Sequence, residues 1–526
     1  MAAVLRLYTR LTRRGVALLV VAVAAYVVVE VASYLQTYPD QASRQRLVEF
    51  GDQPAVRMLQ GIPHAVDTVG GFVVWDGGWF LQAIVGVWAI LVTSRLLRAE
   101  EDSGRAELVG AGRASSVQVM MAGLVVVCAG CLLAGAAAFA SIAVSSEDVV
   151  GAALFAAGIA GFGLVMGSAA AVASQLVAVR RRAAGLAAGF LGVSFVLRMI
   201  ANSGDEQSWL GWLSAFGWMD RLRPFGDNNA AVLVVYGIVA SMLCGLALAL
   251  RRRRDLGAAI VSRERAQRSR FLMLQSPIRF GWRLTWGALV AWAVGLGVYS
   301  FFIGSLIKSM GDVLVDDPAY ESYLDLLGLT AADVYLGMVA AMAVVIALVV
   351  SLYVSWRIGA VRNEEDAERV DHLLTRPLTR GRWLGGHLVL AVASVLVLML
   401  VNAAATWAGA ALTNAPVTFP DLLAASANLL PVILLFGSLA VAMFGLAPRL
   451  TIAVPVGAVV VAYVLSFVGP ALDLPGWVTG LSPFYHVALV PVADYATVQG
   501  LVMLGLTIVI AGIGWGAFSR RDLIGA

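Results

Sequence analysis

Runs of about twenty apolar residues recur through the whole chain, and their length constrains the fold more than any other feature. A hydrocarbon core about 30 Å thick takes roughly 20 helical residues to cross, and backbone groups inside it must be hydrogen-bonded within the protein. Twelve such runs are present, at 15–35, 77–97, 117–143, 150–178, 183–201 and 229–250, then at 285–306, 334–356, 384–412, 422–447, 451–469 and 498–518. The chain is 60% hydrophobic and only 13% charged, where a soluble domain carries about a quarter charged residues. The expected fold is an all-α integral membrane protein with twelve transmembrane helices. The Gly- and Ala-rich run at 150–178 is expected to bend or break. Small residues of this kind also let helices approach closely.

The basic residues set an expected orientation. Arg6, Arg10, Arg13 and Arg14 precede the first run, Arg180 to Arg182 separate the fourth from the fifth, and Arg251 to Arg254 follow the sixth. Arg449, Arg520 and Arg521 stand in equivalent places later. By the positive-inside rule these loops and both termini are cytoplasmic. The alternate loops are neutral or acidic, with Glu147 and Asp148, then Asp312, Asp316, Asp317, Glu321 and Asp325. The pI near 9.0 is thus a topology signal, not a nucleic-acid patch. One Lys, Lys308, stands beside 36 Arg, which reads as the codon bias of a GC-rich genome and points towards a bacterial source. Cys128, Cys131 and Cys244 lie within apolar runs, where a thiol packs as a small hydrophobe. No cleavable signal peptide is expected, because the Arg-rich start leads into a full-length span.

Three motifs occur twice in the same order. After the second run, Arg98, Glu100, Glu101, Asp102 and Arg105 reappear 264 positions on as Arg362, Glu364, Glu365, Asp366 and Arg369. Between the fifth and sixth runs, Gly217-Trp218, Leu222, Pro224 and Phe225 match Gly476-Trp477, Leu481, Pro483 and Phe484 in the pattern GWxxxLxPF. RRDL at 253–256 returns at 520–523. The chain reads as two tandem six-helix bundles in the same orientation, 1–260 and 285–526, joined by a cytoplasmic linker and interfacial segment at 261–284.

Motor chemistry is missing. A P-loop needs GxxxxGK[ST], and Ile307 precedes the only Lys. No HExxH, nucleophile elbow or Cys/His ligand cluster occurs, so no enzyme, metal site or cofactor site is expected. Ion-coupled carriers place titratable groups deep in their spans. Here only Arg198 and Glu30 approach that position, each near the end of a run. That scarcity favours a separate motor, and the EED segments offer its docking site, with Leu108, Val109, Leu373 and Leu374 packing beneath. The bland alternative is a solvated loop whose ion pairs contribute about 0.3–0.5 kcal/mol.

At the start, Val4, Leu7, Tyr8 and Leu11 share one helical face and the arginines another, the pattern of a helix lying in the interface. Phe271 to Trp282 is a weaker counterpart, interrupted by Pro277. The 36–76 stretch is expected to be an external loop containing short helices, and 307–333 its shorter counterpart.

Taken together, the RxEEDxGR element, Arg182-Ala183-Ala184, Phe195-Val196-Leu197-Arg198, the Gly-Trp and Pro-Phe loop and the terminal RRDL resemble the fused permeases of type-2 ABC exporters. The nearest group in pattern is the polyketide-antibiotic exporters, or tetronasin-resistance-like permeases. The resemblance implies a single chain that forms both transmembrane halves in a bacterial plasma membrane. Two copies of a separate ABC ATPase subunit would bind ATP and Mg²⁺ below it. It further implies an interfacial elbow helix at Arg6 to Arg14 and coupling elements at the two EED segments. A lipophilic or amphipathic drug would pass an outer gate near Arg198, Trp218, Phe225, Trp477 and Phe484. Glu368 replaces Gly104 in the second copy, and Pro377 enters its loop, so the two docking sites differ. The alternative is a proton-coupled secondary multidrug carrier using Arg198 and Glu30; a scaffold or sensor without transport is a third reading.

Overall fold

The computed structural model describes residues 1–99, 101, 115–146, 148–253, 277–315, 330–366, 379–468 and 475–521, and no strand occurs among them. The chain forms two compact units, Met1–Gln267 and Arg268–Ala526. The first contains α1 (Ala2–Thr37), α2 (Gln41–Gly51), α3 (Pro54–Gln60), α4 (Val69–Arg98), α5 (Ser116–Ala143), α6 (Val149–Leu176), α7 (Arg180–Ala201), α8 (Gly217–Leu222) and α9 (Val232–Arg252). The second contains α10 (Pro277–Val315), α11 (Ala331–Asp366), α12 (Arg380–Leu412), α13 (Phe419–Asn428), α14 (Leu430–Leu446), α15 (Ala453–Val468) and α16 (Thr497–Arg520).

Among the described residues, eleven helices are long and apolar enough to cross a membrane, with α13 and α14 counting as one span. The expected run at 451–469 instead yields α15, of 16 residues. At 1.5 Å per residue that is about 24 Å, short of a hydrocarbon core.

Helix starts follow side-chain chemistry. Ser115 opens α5 with a capping box, its hydroxyl accepting from Gln118 N while Gln118 Oε1 accepts from Ser115 N. Asp148 caps α6, Thr379 caps α12, and Thr418 with Asp421 caps α13. The sequence-based expectations need three corrections. The basic N-terminus is not a separate interfacial helix but the first turns of α1, with Val4 and Tyr8 buried and Tyr8 Oη 3.5 Å from Leu96 O. The 36–76 stretch does contain two short helices, but α4 already begins at Val69. The Gly/Ala-rich run does not break: α6 is one 28-residue helix. Neighbouring helices fill its small-residue gaps, so its glycines serve packing.

Each core surrounds one central helix. In the first unit α6 is the most buried span, and Phe155, Phe162 and Met166 reach zero exposure among side chains of α4, α5 and α9. In the second, α14 takes that place with Val432, Ile433 and Phe444. Helices α10 and α12 cross at Gly304 and Gly409. A Cβ on Gly409 would sit 1.9 Å from Phe301 O, and one on Gly304 would sit 2.0 Å from Thr406 O. Backbone, not a movable side chain, blocks the space.

Gly409→Ala is expected to destabilise the second unit by about 1–3 kcal/mol through overpacking. Gly505→Ala on α16, where a Cβ meets nothing within 4 Å, should be neutral or stabilising by up to about 1 kcal/mol. Thermal unfolding midpoints of the two purified variants in nanodiscs compare the outcomes directly.

Candidate functional site

Helix α4 ends in a wide π-helical turn, Arg95–Ala99. Such turns are rare and re-aim the residues they contain. Arg98, within this turn, is fully buried. Its guanidinium donates to Glu101, whose other carboxylate oxygen accepts from Arg251 Nη1, 2.7 Å away at the end of α9. One carboxylate therefore holds two buried guanidinium groups from two helices. Leu97, Met120, Ala171 and Ala247 form an apolar cluster of α4, α5, α6 and α9 residues at this end. Burial of this kind makes the pairs matter: removing one partner leaves an uncompensated charge, at a cost of about 3–5 kcal/mol, whereas an exposed pair contributes about 0–1.

The second unit builds the same connection by another route. Glu365, near the end of α11, accepts from Arg521 Nη2 through both oxygens at 2.8 Å. The Arg521 guanidinium also lies 5.4 Å from the Phe444 ring centroid and 5.6 Å from that of Phe518. Arg380 Nη1 donates to Arg521 O at 2.6 Å, and Arg362 Nη1 donates to Pro448 O. Glu364 stands 3.6 Å from His387 Nε2 on α12, and Arg357 Nη2 lies 3.3 Å from His387 Nδ1. Asp366 ends α11, while Glu100, Asp102, Arg105 and Arg369 lie outside the described residues, as do Leu108, Val109, Leu373 and Leu374.

At the opposite end of the first unit, Arg198 is buried and saturated with acceptors. Its Nε and Nη2 donate to the two Asp220 oxygens at 2.7 and 2.9 Å, Nη1 to Leu59 O at 2.9 Å, and Nη2 also to Gln60 O at 2.6 Å. Asn202 Nδ2 adds a donor to Asp220 at 2.9 Å. The cluster ties α7, α8 and α3 together, so Arg198 is a latch for the 36–76 stretch. Gly61 adjoins it at φ 100°, where a Cβ would meet Arg198 Nη2 at 2.5 Å and Asp220 Oδ1 at 2.9 Å. Only glycine fits both the backbone and the space. Nearby, the Gly151 N–H and the Asn228 amide hold the Asp148 carboxyl below the usual carboxylate range.

The aromatic residues of the expected gate have unlike surroundings. Trp218 is core: its Nε1 donates to Trp212 O at 2.7 Å and its ring meets Tyr236 edge-on at 4.9 Å. Phe225 is partly buried at φ 64°, its amide donating to Asn228 Oδ1 at 3.0 Å. Trp477 is 74% exposed. Phe484 is buried, stacked at 5.4 Å on Phe436 of α14 and edge-on at 6.2 Å to Tyr463 of α15.

These contacts correct the register of the GWxxxLxPF match. The first-unit residue in the surroundings of Phe484 is Phe216, packed on Phe162 of α6 at 4.5 Å and on Phe195 of α7 at 5.2 Å. The serine two residues earlier agrees. Ser214 Oγ donates to Ser194 O at 2.5 Å, and Ser482 Oγ donates to Ala462 O at 2.7 Å. The equivalent motif is thus Ser-x-Phe at 214–216 and 482–484, a turn pinned by its serine to the fifth helix of the unit with its phenylalanine inserted beside the fourth.

Sequence comparison is in agreement with this architecture. The family model described as "Multidrug efflux system permease Rv1217c, C-terminal domain" matches residues 1–252 and 274–519. The "Multidrug efflux system permease protein Rv1217c" of Mycobacterium tuberculosis (strain ATCC 25618 / H37Rv) is 30% identical over 525 residues, 99% of this chain and 94% of that protein. The chain belongs to the Rv1217c multidrug efflux permease family. It is a multi-pass membrane protein, and its matched regions include the Glu101–Arg251 pair, Glu365 and both Ser-x-Phe turns, and end two residues before Arg521.

In this permease the residues that sequence reasoning missed are the partners. Arg251 reads only as a topology signal, and Asp220 has no local signature, since their contacts span 150 and 22 positions. Asp76 falls within the 36–76 stretch but belongs to a π-helical turn of α4. There it accepts from Gln60 Nε2 at 2.8 Å beside buried Glu30.

Arg198→Ala is expected to cost about 3–5 kcal/mol because Asp220 is left unpaired, and Asp220→Asn in the same chain should recover part of that loss. A double-mutant cycle on unfolding midpoints measures the coupling. Asp148→Ala should cost about 1 kcal/mol as a lost cap. Because folding depresses the Asp148 pKa, this contribution is complete above the unfolded value near ~3.9. It disappears as pH falls through the lower folded value. The stability gap between wild type and Asp148→Ala, measured from neutral to acid pH, checks the sign.

Proposed function

We propose that this permease is the membrane subunit of an ATP-driven ABC exporter that moves lipophilic or amphipathic drugs out of a bacterial cell. In this reading it spans the plasma membrane twelve times, as two six-helix halves in the same orientation with both termini cytoplasmic. The short helix α15 would complete the second half. Two copies of a separate ABC ATPase bind at the arginine-rich end and supply ATP and Mg²⁺. The observation that carries this reading is the recurrence, in both units, of a charged segment directly after the second long helix and fastened to the last one. The name of the mycobacterial relative supports drug efflux, and the motif resemblance to tetronasin-resistance-like permeases favours antibiotic-like cargo.

The docking surface is then made by the other charges of that segment: Glu100, Asp102 and Arg105 in the first copy, with Asp366 and Arg369 in the second. A second reading, a proton-coupled carrier, is favoured by one observation. Glu30 and Asp76 lie side by side at the junction of α1 and α4, and intramembrane carboxylates are a usual means of carrying a proton.

The test is co-purification of the permease with its candidate ATPase, wild type against Glu100→Lys, Asp102→Lys and Arg105→Glu combined. Wild type should retain two ATPases per permease, and the variant should lose at least one with drug export falling about tenfold or more. Export that follows the proton gradient without any ATPase, and that Glu30→Gln abolishes, would replace this reading with the carrier.

A further inference from the structure

The charged segment after α4 and its counterpart after α11 are each joined to the final helix of their unit. We propose that the ion pairs Glu101–Arg251 and Glu365–Arg521 are force-transmitting ties, which pass displacement of the charged segment to α9 and α16. Arg251 and Arg521 are then positioning residues of the transport cycle; this rests on the docking reading and adds the path by which docking moves the bundle.

The tie recurs where the sequence repeat would not place it. In the RRDL register Arg521 aligns with Arg254, and Arg251 aligns with Phe518. The first unit makes its contact from a position three residues earlier, about one helical turn. The same pair of elements is thus joined in both units by arginines that are not sequence equivalents. A contact inherited only with the repeated sequence would use the same position twice.

The pairs are also built to hold. Side-chain exposure is 6% for Arg251 and 7% for Glu101, and 14% for Arg521 and 5% for Glu365. Arg98 grips the same Glu101 from the buried turn of α4, and Phe444 and Phe518 confine the Arg521 guanidinium. Salt and water therefore screen these pairs little. The helices they pull on have the least buried apolar windows of each unit. The most apolar windows of α9 and α16 are each 17% buried, the lowest values among the membrane-length helices. Helix α16 meets α14 backbone to backbone, where a Cβ on Gly514 would lie 2.4 Å from Val441 O, so a pull on α16 reaches the central helix of its unit.

The experiment uses the complete permease–ATPase complex, with Arg251→Gln and Arg521→Gln singly and together, and Arg251→Lys as the charge-retaining control. The expected result is wild-type ATPase content and basal hydrolysis within about twofold, but a loss of about tenfold or more in drug-stimulated hydrolysis and export. Arg251→Lys should recover most of that loss. Wild-type export by the double variant with its ATPases bound overturns the tie while leaving docking intact. Parallel loss of ATPase binding, basal hydrolysis and folded permease, which Arg251→Lys shares, also overturns it by showing a merely structural role. A wild-type permease that binds no ATPase defeats the docking reading itself, and the tie with it.

Discussion

A guanidinium or carboxylate that folding removes from water must find its counter-charge nearby, because the low dielectric of the interior makes an unpaired charge prohibitive. In this permease that rule fixes which elements meet at the ends of the bundles. Arg98, Glu101 and Arg251 bring the end of α4 to the end of α9, while Glu365 and Arg521 bring the end of α11 to the end of α16. Arg198 and Asp220 hold α3 and α8 to α7. Between these charged ends, apart from a few polar contacts such as Ser300 to Asn402 and Gln82 to Tyr236, the helices pack mainly through apolar side chains and small residues, whose attractions are non-directional. Charge pairing supplies the specificity that such contacts lack.

The two units solve the same problem differently. Arg98 lies in a π-helical turn and reaches Glu101, whereas the matching Arg362 lies in a regular helix and reaches the carbonyl of Pro448. The second unit adds a buried Arg357–His387–Glu364 row between α11 and α12, where the first has Thr93 and Gly123 at the positions 264 residues earlier. With the register set by the Ser-x-Phe turns, the place of Arg198 falls to Ser466, which donates to Ser482 at 2.7 Å. The latch thus belongs to the first unit. This asymmetry fits a chain whose two units are free to diverge, and it is already present at Gly104 against Glu368.

Much of the fold is legible in the sequence because run length and hydropathy act locally. The apolar runs at 117–143 and 498–518 become α5 and α16 nearly residue for residue. Legibility fails where the deciding contact is remote. The GWxxxLxPF match aligns Phe225 with Phe484 by residue identity, yet the hydrogen bonds of Ser214 and Ser482 align Phe216 with Phe484. Glycine and tryptophan are common in short turns of a membrane protein, so identity there says little about which side chain is inserted. The candidate site was half visible: Arg98, Glu101, Arg362 and Glu365 stand out through repetition, but Arg251 and Arg521 look like ordinary positive-inside residues.

By itself the sequence determined that the chain is helical and membrane-embedded, that charged segments follow the second run of each half, and that no P-loop lysine is present. Those properties depend on residue type and on spacing within a few helical turns, which the bilayer and the backbone read directly. Only the tertiary structure decided that Glu101 is bound to Arg251, that Arg198 is a latch, that α15 is short and that α1 runs unbroken from Ala2. The first two follow from satisfying a charge or a carbonyl across 139 to 150 positions, and no local pattern encodes which distant group completes that contact.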